Sequence, residues 1–144
     1  MIRKFNPKTD FELLLTGELE AFTNSYPGVE IPINFVSERV RSIEKGRSSC
    51  AVLDEAGQMG YLISTQKVVG ERVETYIESI YLSPEVRGKG KVSRLIQSVL
   101  VTSLENVVSL DVSVSNFRAV ASYEEIGFDI ERLRMTKKYS PKDD

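Results

Sequence analysis

The residues best suited to chemistry lie between an apolar run that ends at Leu82 and an amphipathic segment that begins near Val92. They form a basic turn, which reads Arg87, Gly88, Lys89, Gly90 and Lys91. The two glycines lack a Cβ, so the backbone can take positive φ angles and direct consecutive N–H groups at an anion. A helix that opens at the turn adds the positive end of its dipole. The turn is therefore suited to bind a pyrophosphate, with its three cations adding charge.

The turn does not match the common nucleotide-binding motifs. A GxxxxGK[ST] phosphate loop is absent, and Ser93 stands where a GxGxxG fingerprint has its third glycine. Asp111 follows about twenty residues later, as a ribose-binding acid would, but it is expected near the start of its strand rather than at the end. A plain surface turn that opens a helix is the alternative.

The composition narrows the chemistry further. The chain has 144 residues, with 19 basic and 21 acidic side chains, no histidine and one cysteine, Cys50. Without histidine, a zinc site or a histidine-based triad is excluded in practice, and no metal is expected. Proton transfer must then use Asp, Glu, Tyr, Lys or Cys. Cys50 is expected to be a small buried side chain rather than an acyl carrier.

Length and charge predict one cytoplasmic domain spanning residues 1–144. A net charge of −2 gives no support for binding to nucleic acid or to an anionic membrane. No apolar run reaches the ~18 residues that a membrane span needs. The charged start of the chain also lacks the apolar core of a signal peptide.

Hydrophobic spacing predicts the element order β-α-α-β-β-β-α-β-α-β. The expected elements are a strand over 1–5, a helix from a Thr9–Glu12 capping box to Phe22, a helix from Ser37 to Gly46, strands over 50–53, 60–68 and 73–82, a helix from the turn to about Leu104, a strand over 107–114, a helix from Asn116 to Gly127, a strand or hairpin over 128–139 and a frayed tail over 141–144. Short turns make the three central strands an antiparallel meander. The predicted fold is α/β (α+β), with a mixed, mostly antiparallel central sheet flanked by helices.

Two blocks of sequence carry a family resemblance. Residues 80–96 are similar to a strand, an [RQ]-x-x-G-x-[GA] turn and a helix. In residues 112–128, the pattern N-x-x-A-x-x-x-Y-x-x-x-G-F is matched by Asn116, Ala119, Tyr123, Gly127 and Phe128. Together they resemble the GNAT superfamily of acetyl-coenzyme A-dependent N-acetyltransferases, whose element order matches over about residues 48–140. Residues 1–47 match only in having two helices where the family places its acceptor-binding surface.

The turn departs from the family pattern at its sixth position. The family has Gly or Ala there, whereas this chain has Val92, preceded by Lys91. A branched side chain at this place either hinders the pyrophosphate or packs inward, with the phosphates meeting only the N–H groups of residues 87–91. Lys91 would compensate in part by contacting a phosphate.

The resemblance implies direct attack of an amine on the thioester of acetyl-coenzyme A. The implied cofactor-binding residues are Ile80, Tyr81, Leu82, Arg87, Gly88, Lys89, Gly90, Lys91, Val92, Asn116 and Tyr123. A backbone N–H of residues 79–82 would stabilise the oxyanion, and Tyr123 would protonate the leaving thiolate. The candidate bases are Asp111, ranked slightly first, then Glu78 and Glu74, with water alone as a further route.

Other interpretations stay open beside the acetyltransferase. The same fold can serve as a non-catalytic acyl-coenzyme A-binding or regulatory module, and a different α/β nucleotide-binding class is a weaker alternative that the meander disfavours. The acceptor is a primary amine, either a small molecule or a peptide amine, and its identity is not fixed by the residues. The chain is expected to be a monomer or a homodimer.

Overall fold

The computed structural model describes residues 1–88 and 90–141, so Lys89 and the last three residues of the tail lie outside the described residues. The chain forms two compact units, Met1–Asp111 and Val112–Asp144. The first unit contains β1 (Ile2–Lys4), α1 (Pro7–Ser25), α2 (Phe35–Glu44), β2 (Ser49–Glu55), β3 (Gln58–Val69), β4 (Arg72–Leu82), a short 3-10 turn (Pro84–Val86), α3 (Lys91–Ser98) and β5 (Glu105–Ser109). The second unit contains α4 (Phe117–Glu125).

The strands form one five-stranded sheet in the order β1-β2-β3-β4-β5. The first four pair antiparallel, and β5 pairs parallel with β4. The tight turn between β2 and β3 has positive φ at Ala56 and Gly57, as two-residue hairpins prefer. The predicted fold class, a mixed and mostly antiparallel sheet flanked by helices, is confirmed.

The two faces of the sheet bury apolar side chains from different helices. A hydrophobic cluster joins the first two helices to the strands through Leu14, Val36, Cys50, Val52, Tyr61 and Ile63. Leu95 and Ile96 are the buried residues of α3, which contacts β2 and β3. Cys50 is buried as predicted, and burial raises the pKa of its thiol to about 12.

The first two helices begin earlier than the sequence pattern predicts. Helix α1 starts at Pro7, capped by Asn6, whose side chain accepts a hydrogen bond from the Lys8 N–H at 3.0 Å. The Asn6 N–H in turn donates to the carboxylate of Asp10 at 2.7 Å, so the expected Thr9–Glu12 capping box is wrong. Proline fits the first helical position because it has no N–H to leave unpaired. Helix α2 likewise begins at Phe35, not after a Ser37 cap.

The elements after the glycine turn are shorter than predicted. Helix α3 ends at Ser98 rather than near Leu104, and the Ser98 hydroxyl donates back to the Leu95 carbonyl at 2.6 Å. The next loop is held by Asn106, whose side chain binds both the N–H and the carbonyl of Val101. Strand β5 then spans only Glu105–Ser109, so the expected strand over 107–114 is wrong at both ends.

Of the two elements predicted for the second unit, the helix is present and the strand is not. The Asn116 side chain accepts a hydrogen bond from the Ala119 N–H at 3.2 Å, and Gly127 takes a φ of 104° after α4, as expected for its two ends. The strand or hairpin expected over 128–139 is wrong, because no strand occurs among residues 112–141. Its apolar positions Ile130, Leu133 and Met135 are each more than 70% exposed, so they have no buried face that would stabilise a strand.

Two further properties concern the described part of the chain alone. No helix in it is long and apolar enough to cross a bilayer. Its His, Cys, Asp and Glu residues form no group suited to hold a metal ion.

Candidate functional site

A β-bulge in β4 places two consecutive polar side chains beside the helices α1 and α2. Ile63 pairs with Ser79 and Ser64 pairs with Ile77, so Glu78 is an extra residue on its strand. A bulge breaks the alternation of side chains and re-aims them. As a result the Ser79 hydroxyl reaches Glu18 of α1 at 2.7 Å, while the Glu78 carboxylate reaches Arg39 of α2.

The described residues hold the carboxylate of Glu78 by one oxygen. Its Oε2 accepts hydrogen bonds from Arg39 Nη1 at 3.1 Å and from the Ser48 hydroxyl at 3.0 Å. The side chain retains 21% exposure, so solvent or a ligand can reach it. Arg39 also donates from Nε to the buried Glu18 at 2.7 Å. Glu78 is therefore an oriented carboxylate on the strand that leads into the glycine turn.

The second predicted base, Asp111, lies beyond the end of β5 rather than near its start. Pairing with β4 ends at Tyr76 and Ser109, two residues before the bulge at Glu78. Across this end, the Tyr76 hydroxyl donates to Asp111 Oδ2 at 2.8 Å. That hydrogen bond is the main cause that raises the pKa of Tyr76, and the charges of Asp111 and Glu78 add to it. Two of the three candidate acids therefore lie near one phenol.

The third candidate, Glu74, lies in a surface ion cluster. Its carboxylate accepts a hydrogen bond from Arg72 at 2.9 Å and lies 3.9 Å from the ammonium of Lys67. Glu74 precedes the bulge at Glu78 by four residues on the same strand and lies towards the β3–β4 hairpin. Two cationic partners at a hairpin end are typical of a solvated strand residue.

The glycine turn has the backbone geometry that the sequence predicts. Gly88 and Gly90 take φ angles of 75° and 70°, and Gly90 is the N-cap of α3. A Cβ built on either glycine would meet no atom of the described residues within 4 Å, so the described structure leaves the space beside the turn open. The positive φ angles confirm why glycine is needed at both positions. Val92 is half-buried in the first turn of the helix.

The basic side chains of the turn that the structure describes are paired with acids. Arg87 donates to the Leu82 carbonyl and to Glu20 of α1, both at 2.9 Å, and its guanidinium lies 5.9 Å from the centre of the Tyr81 ring. Lys91 contacts both oxygens of Glu55, at 2.8 and 3.0 Å. Any phosphate at this turn would therefore compete with two internal carboxylates for these cations.

The carboxylate of Glu55 is paired with two cations of α3. Lys91 and Arg94 of α3 both donate to it, and these hydrogen bonds lower the pKa of Glu55 to about 2. Lys91 is only 15% exposed, so its ammonium is partly enclosed by the contact. This arrangement was not expected from the sequence, because Glu55 lies in the β2–β3 hairpin, 36 residues before Lys91.

Tyr123 lies on α4 in the second unit. Its ring meets that of Phe128 edge to face, with centroids 5.7 Å apart. Burial raises the pKa of Tyr123, so the phenol holds its proton at neutral pH. This suits a proton donor, although the same burial disfavours the phenolate that donation would leave.

Four polar residues around the bulge were missed by sequence reasoning: Glu18, Arg39, Ser48 and Tyr76. One signal for Glu18 was present in the sequence. It follows Leu14 by four residues, so it lies on the apolar stripe of α1, and a charged residue on such a stripe must find buried partners. The other three carry no comparable signal, because their roles depend on contacts between segments that are distant in sequence.

Comparison with known proteins gives three results. The sequence model of the acetyltransferase (GNAT) family matches residues 18–128. No curated protein sequence matches the chain. Solved structures match over nearly the whole length, and all those described below are less than 25% identical, so they show the fold alone.

Three of these structures illustrate the similarity. A possible acetyltransferase from Clostridium difficile 630 has a TM-score of 0.73 at 16% identity, with 97% of each chain covered. The aminoglycoside N-acetyltransferase AAC(6')-Iy, in complex with CoA, has a TM-score of 0.67 at 16% identity, covering 97% of this chain and 100% of that one. A predicted acetyltransferase with acetyl-CoA from Clostridium acetobutylicum has a TM-score of 0.63 at 18% identity, covering 96% and 95%.

The family model spans the glycine turn and the Asn116–Phe128 pattern, the two blocks on which the resemblance in sequence rests, and it also includes the bulged strand. It covers well over half of the chain, and the five-stranded sheet agrees with it. This protein belongs to the GNAT acetyltransferase family.

Proposed function

We propose that the protein transfers the acetyl group of acetyl-coenzyme A directly to a primary amine. Family membership supports the reaction class. The observation that carries the proposal is the bulge of β4, which sets an oriented, partly exposed carboxylate, Glu78, on the strand that enters the glycine turn. The alternative, a non-catalytic module that binds acyl-coenzyme A, needs the turn but has no use for this carboxylate.

We assign the cofactor to the glycine turn and the end of β4. The open space beside Gly88 and Gly90, together with their positive φ angles, fits a pyrophosphate held by backbone N–H groups. Acetyl-coenzyme A supplies the thioester carbonyl that the amine attacks. The full proposed set is Ile80, Tyr81, Leu82, Arg87, Gly88, Lys89, Gly90, Lys91 and Val92, with Asn116 and Tyr123 from the second unit. A backbone N–H of residues 79–82 would donate to the developing oxyanion.

Glu78 is assigned as the general base that takes the proton of the attacking amine, directly or through one water. An alkyl ammonium of pKa ~10.4 is neutral in only about one molecule in 2,500 at pH 7, a cost of about 4.6 kcal/mol, so a proton acceptor is needed. The hydrogen bonds that the described residues make to Glu78 fall on Oε2, which leaves Oε1 for this task. Asp111 is exposed and already binds the Tyr76 hydroxyl, so we rank it second, and Glu74 third.

Tyr123 is assigned as the general acid that protonates the leaving thiolate. Proton transfer from a phenol of pKa ~10 to a thiolate of pKa ~8.5 is uphill by about 2 kcal/mol. Burial raises the pKa of Tyr123 and enlarges this difference. The proposal therefore predicts a modest rate advantage from Tyr123, smaller than that from Glu78.

The acceptor is proposed to be a small cationic amine. Among the described residues joined by these contacts, the acids Glu78, Asp111 and Glu18 outnumber the cation Arg39, so the surroundings of the bulge favour a positively charged ligand. The aminoglycoside N-acetyltransferase among the similar structures is consistent with such an acceptor. A second amino group on the acceptor would interact with Asp111 while the first is acetylated.

The test is an assay of thiol release from acetyl-coenzyme A with polyamines, aminoglycosides and short peptides as acceptors. We expect turnover with the cationic small amines, and a loss of about 10²-fold or more in kcat for Glu78→Gln, the usual worth of a general base. Glu71→Gln, on the exposed β3–β4 turn, is the matched control and should retain wild-type turnover. Tyr123→Phe and Asp111→Asn should give smaller losses, with Tyr139→Phe as the control for the phenol.

Two results would contradict the proposal. Tight acetyl-coenzyme A binding without turnover on any acceptor would favour the non-catalytic module. Turnover that is unchanged in Glu78→Gln but lost in Asp111→Asn would move the base to Asp111.

A further inference from the structure

Glu18 of α1 is a buried carboxylate, 1% exposed, that the proposed chemistry does not use. Its Oε2 accepts hydrogen bonds from the Tyr61 hydroxyl at 2.9 Å and the Ser79 hydroxyl at 2.7 Å, and its Oε1 accepts from Arg39 Nε at 2.7 Å. Burial is the main cause that raises the pKa of Tyr61, and the charge of Glu18 adds to it, so the phenol remains a donor. A buried carboxylate is tolerated only with such partners.

Two of the three donors to Glu18 lead to Glu78. Ser79 is the residue after Glu78 in the bulge, so its bond to Glu18 anchors the backbone there. Arg39 donates from Nε to Glu18 and from Nη1 to Glu78, so one guanidinium joins the two carboxylates. Glu18 thus acts on Glu78 from both sides, through the backbone and through the partner of its carboxylate.

Arg39 alone would orient Glu78 poorly. Its side chain is long, 27% exposed and free to adopt many rotamers, and a single partly exposed ion pair restricts such a side chain little. The bond from Nε to a buried carboxylate fixes the plane of the guanidinium, because its donors have a rigid fork geometry. Nη1 then faces Glu78, whose Oε1 accepts no hydrogen bond from the described residues.

We infer that Glu18 is a positioning residue for acetyl transfer: through Arg39 and Ser79 it fixes the carboxylate of Glu78 at the bulge of β4. This inference rests on the proposed function, in which Glu78 takes the amine proton. A misplacement of about 1 Å in a reacting group can cost roughly 10²-fold in rate, so an anchor of this kind has a measurable effect.

The test is a double-mutant cycle on turnover with Glu18→Gln, Glu78→Gln and the double variant. We expect Glu18→Gln to lower kcat roughly 10- to 100-fold when Glu78 is present and to cause no further loss when it is absent, because coupled residues are not additive. Acetyl-coenzyme A affinity should change little in any of the three. An equal loss from Glu18→Gln in both backgrounds would overturn the inference, since Glu18 would then act independently of Glu78.

Two controls separate positioning from general stability. Glu12→Gln makes the same change at an exposed position of α1 and should leave turnover unchanged. Because Glu18→Gln removes a buried charge and can fail to fold, Arg39→Lys is the second variant, with Arg41→Lys as its exposed counterpart on α2. Lysine keeps the charge but cannot bridge two carboxylates with a fork, so Arg39→Lys should show the same dependence on Glu78.

The crystal structure of Glu18→Gln gives a readout that needs no activity. We expect the carboxylate of Glu78 to move by about 1 Å or more, with the Arg39 bond to it rearranged. An unmoved Glu78 in this variant would overturn the positioning role even if the enzyme is active. Wild-type turnover in Glu78→Gln, by contrast, would reject the proposed base and leave the structural result to decide the role of Glu18.

Discussion

At Gly88 the chain needs a residue without a side chain for two separate reasons. Its φ of 75° lies in the left-handed region, which costs an L-residue about 1–2 kcal/mol. The space where a Cβ would stand is open in the structure, and we assign it to the cofactor. Stability and binding can therefore be separated at this residue.

We predict that Gly88→Ala lowers the free energy of unfolding by about 1 kcal/mol and weakens acetyl-coenzyme A binding about tenfold or more. Gly70→Ala, with a φ of 62° in the β3–β4 turn, is the matched control. It should lose similar stability in chemical denaturation but bind the cofactor as the wild type does. Equal affinities in both variants would show that the phosphates do not approach Gly88.

The buried carboxylate of Asp10 predicts a pH-dependent contribution to stability. It is 1% exposed, bound by Arg3 at 2.7 and 2.9 Å and by the Asn6 N–H, and the bonds from Arg3 are the main cause that lowers its pKa. A carboxyl whose pKa is lower in the folded state stabilises that state above the unfolded value of about 3.9. This stabilisation is lost as the pH falls through the folded value.

We predict that Asp10→Asn lowers the free energy of unfolding by about 2–3 kcal/mol at pH 7, since it breaks a buried charged pair. The difference from the wild type should shrink as the pH falls below about 4, where the carboxyl of the unfolded chain is protonated, and it should vanish once the folded carboxyl, with its lower pKa, is protonated too. Urea denaturation at a series of pH values measures it, with the exposed Asp129→Asn as control. A difference that stays constant down to pH 2 would contradict the account.

The role of a single residue could be predicted from the sequence where that role depends on its neighbours in the chain. The positive φ at Gly88 and Gly90 and the cap at Asn116 follow from short stretches of sequence, and each is confirmed. The contacts of Glu78 depend on a shift in pairing between β3 and β4, and no residue type in either strand encodes that shift alone. The pairing of Lys91 with Glu55 is equally non-local.

At the scale of elements, α1 approaches the sheet so closely that one position allows only glycine. A Cβ on Gly17 would lie 2.7 Å from Cζ of Tyr61, well inside van der Waals contact. The same ring carries the hydroxyl that binds Glu18, so the close approach and the buried network depend on each other. Replacing a glycine inside a helix by alanine ordinarily stabilises the protein by about 1 kcal/mol.

We predict the opposite sign at this position. Gly17→Ala should lower the free energy of unfolding by about 1–3 kcal/mol, because the added methyl group overpacks the contact with Tyr61. Thr16→Ala, one residue earlier on the exposed side of α1, should be neutral or slightly stabilising. Thermal unfolding of both variants measures the difference, and a more stable Gly17→Ala would show that the helix can shift without cost.

The existence and type of most elements followed from hydrophobic spacing, whereas their ends did not. The meander of β2, β3 and β4 and the helix after the turn were predicted and are present. The start of α1 was misplaced because Thr9 and Glu12 imitate a capping box, although Asn6 and Pro7 carry the true signal. The strand or hairpin predicted over 128–139 is absent, and its large apolar side chains Ile130, Leu133 and Met135 are exposed.

At the scale of the whole molecule, the fold and the family follow from the order of elements and two motif blocks. The sheet order and the match over residues 18–128 agree with the class predicted from sequence. The acceptor could not be predicted in this way, because acceptor specificity arises from side chains on α1, α2 and the strand ends that carry no motif. The charges around Glu78 support only the proposal that the acceptor is cationic.

The central claim is that the glycine turn of this family member binds acetyl-coenzyme A. Calorimetric titration of the purified protein with acetyl-coenzyme A, with NAD and ATP under the same conditions, tests it most directly. We predict saturable binding of acetyl-coenzyme A, weakened in Gly88→Ala and unchanged in Gly70→Ala, with no comparable binding of NAD or ATP. No heat of binding at millimolar acetyl-coenzyme A would contradict the account, and would mean that Val92 and the paired cations have closed the turn.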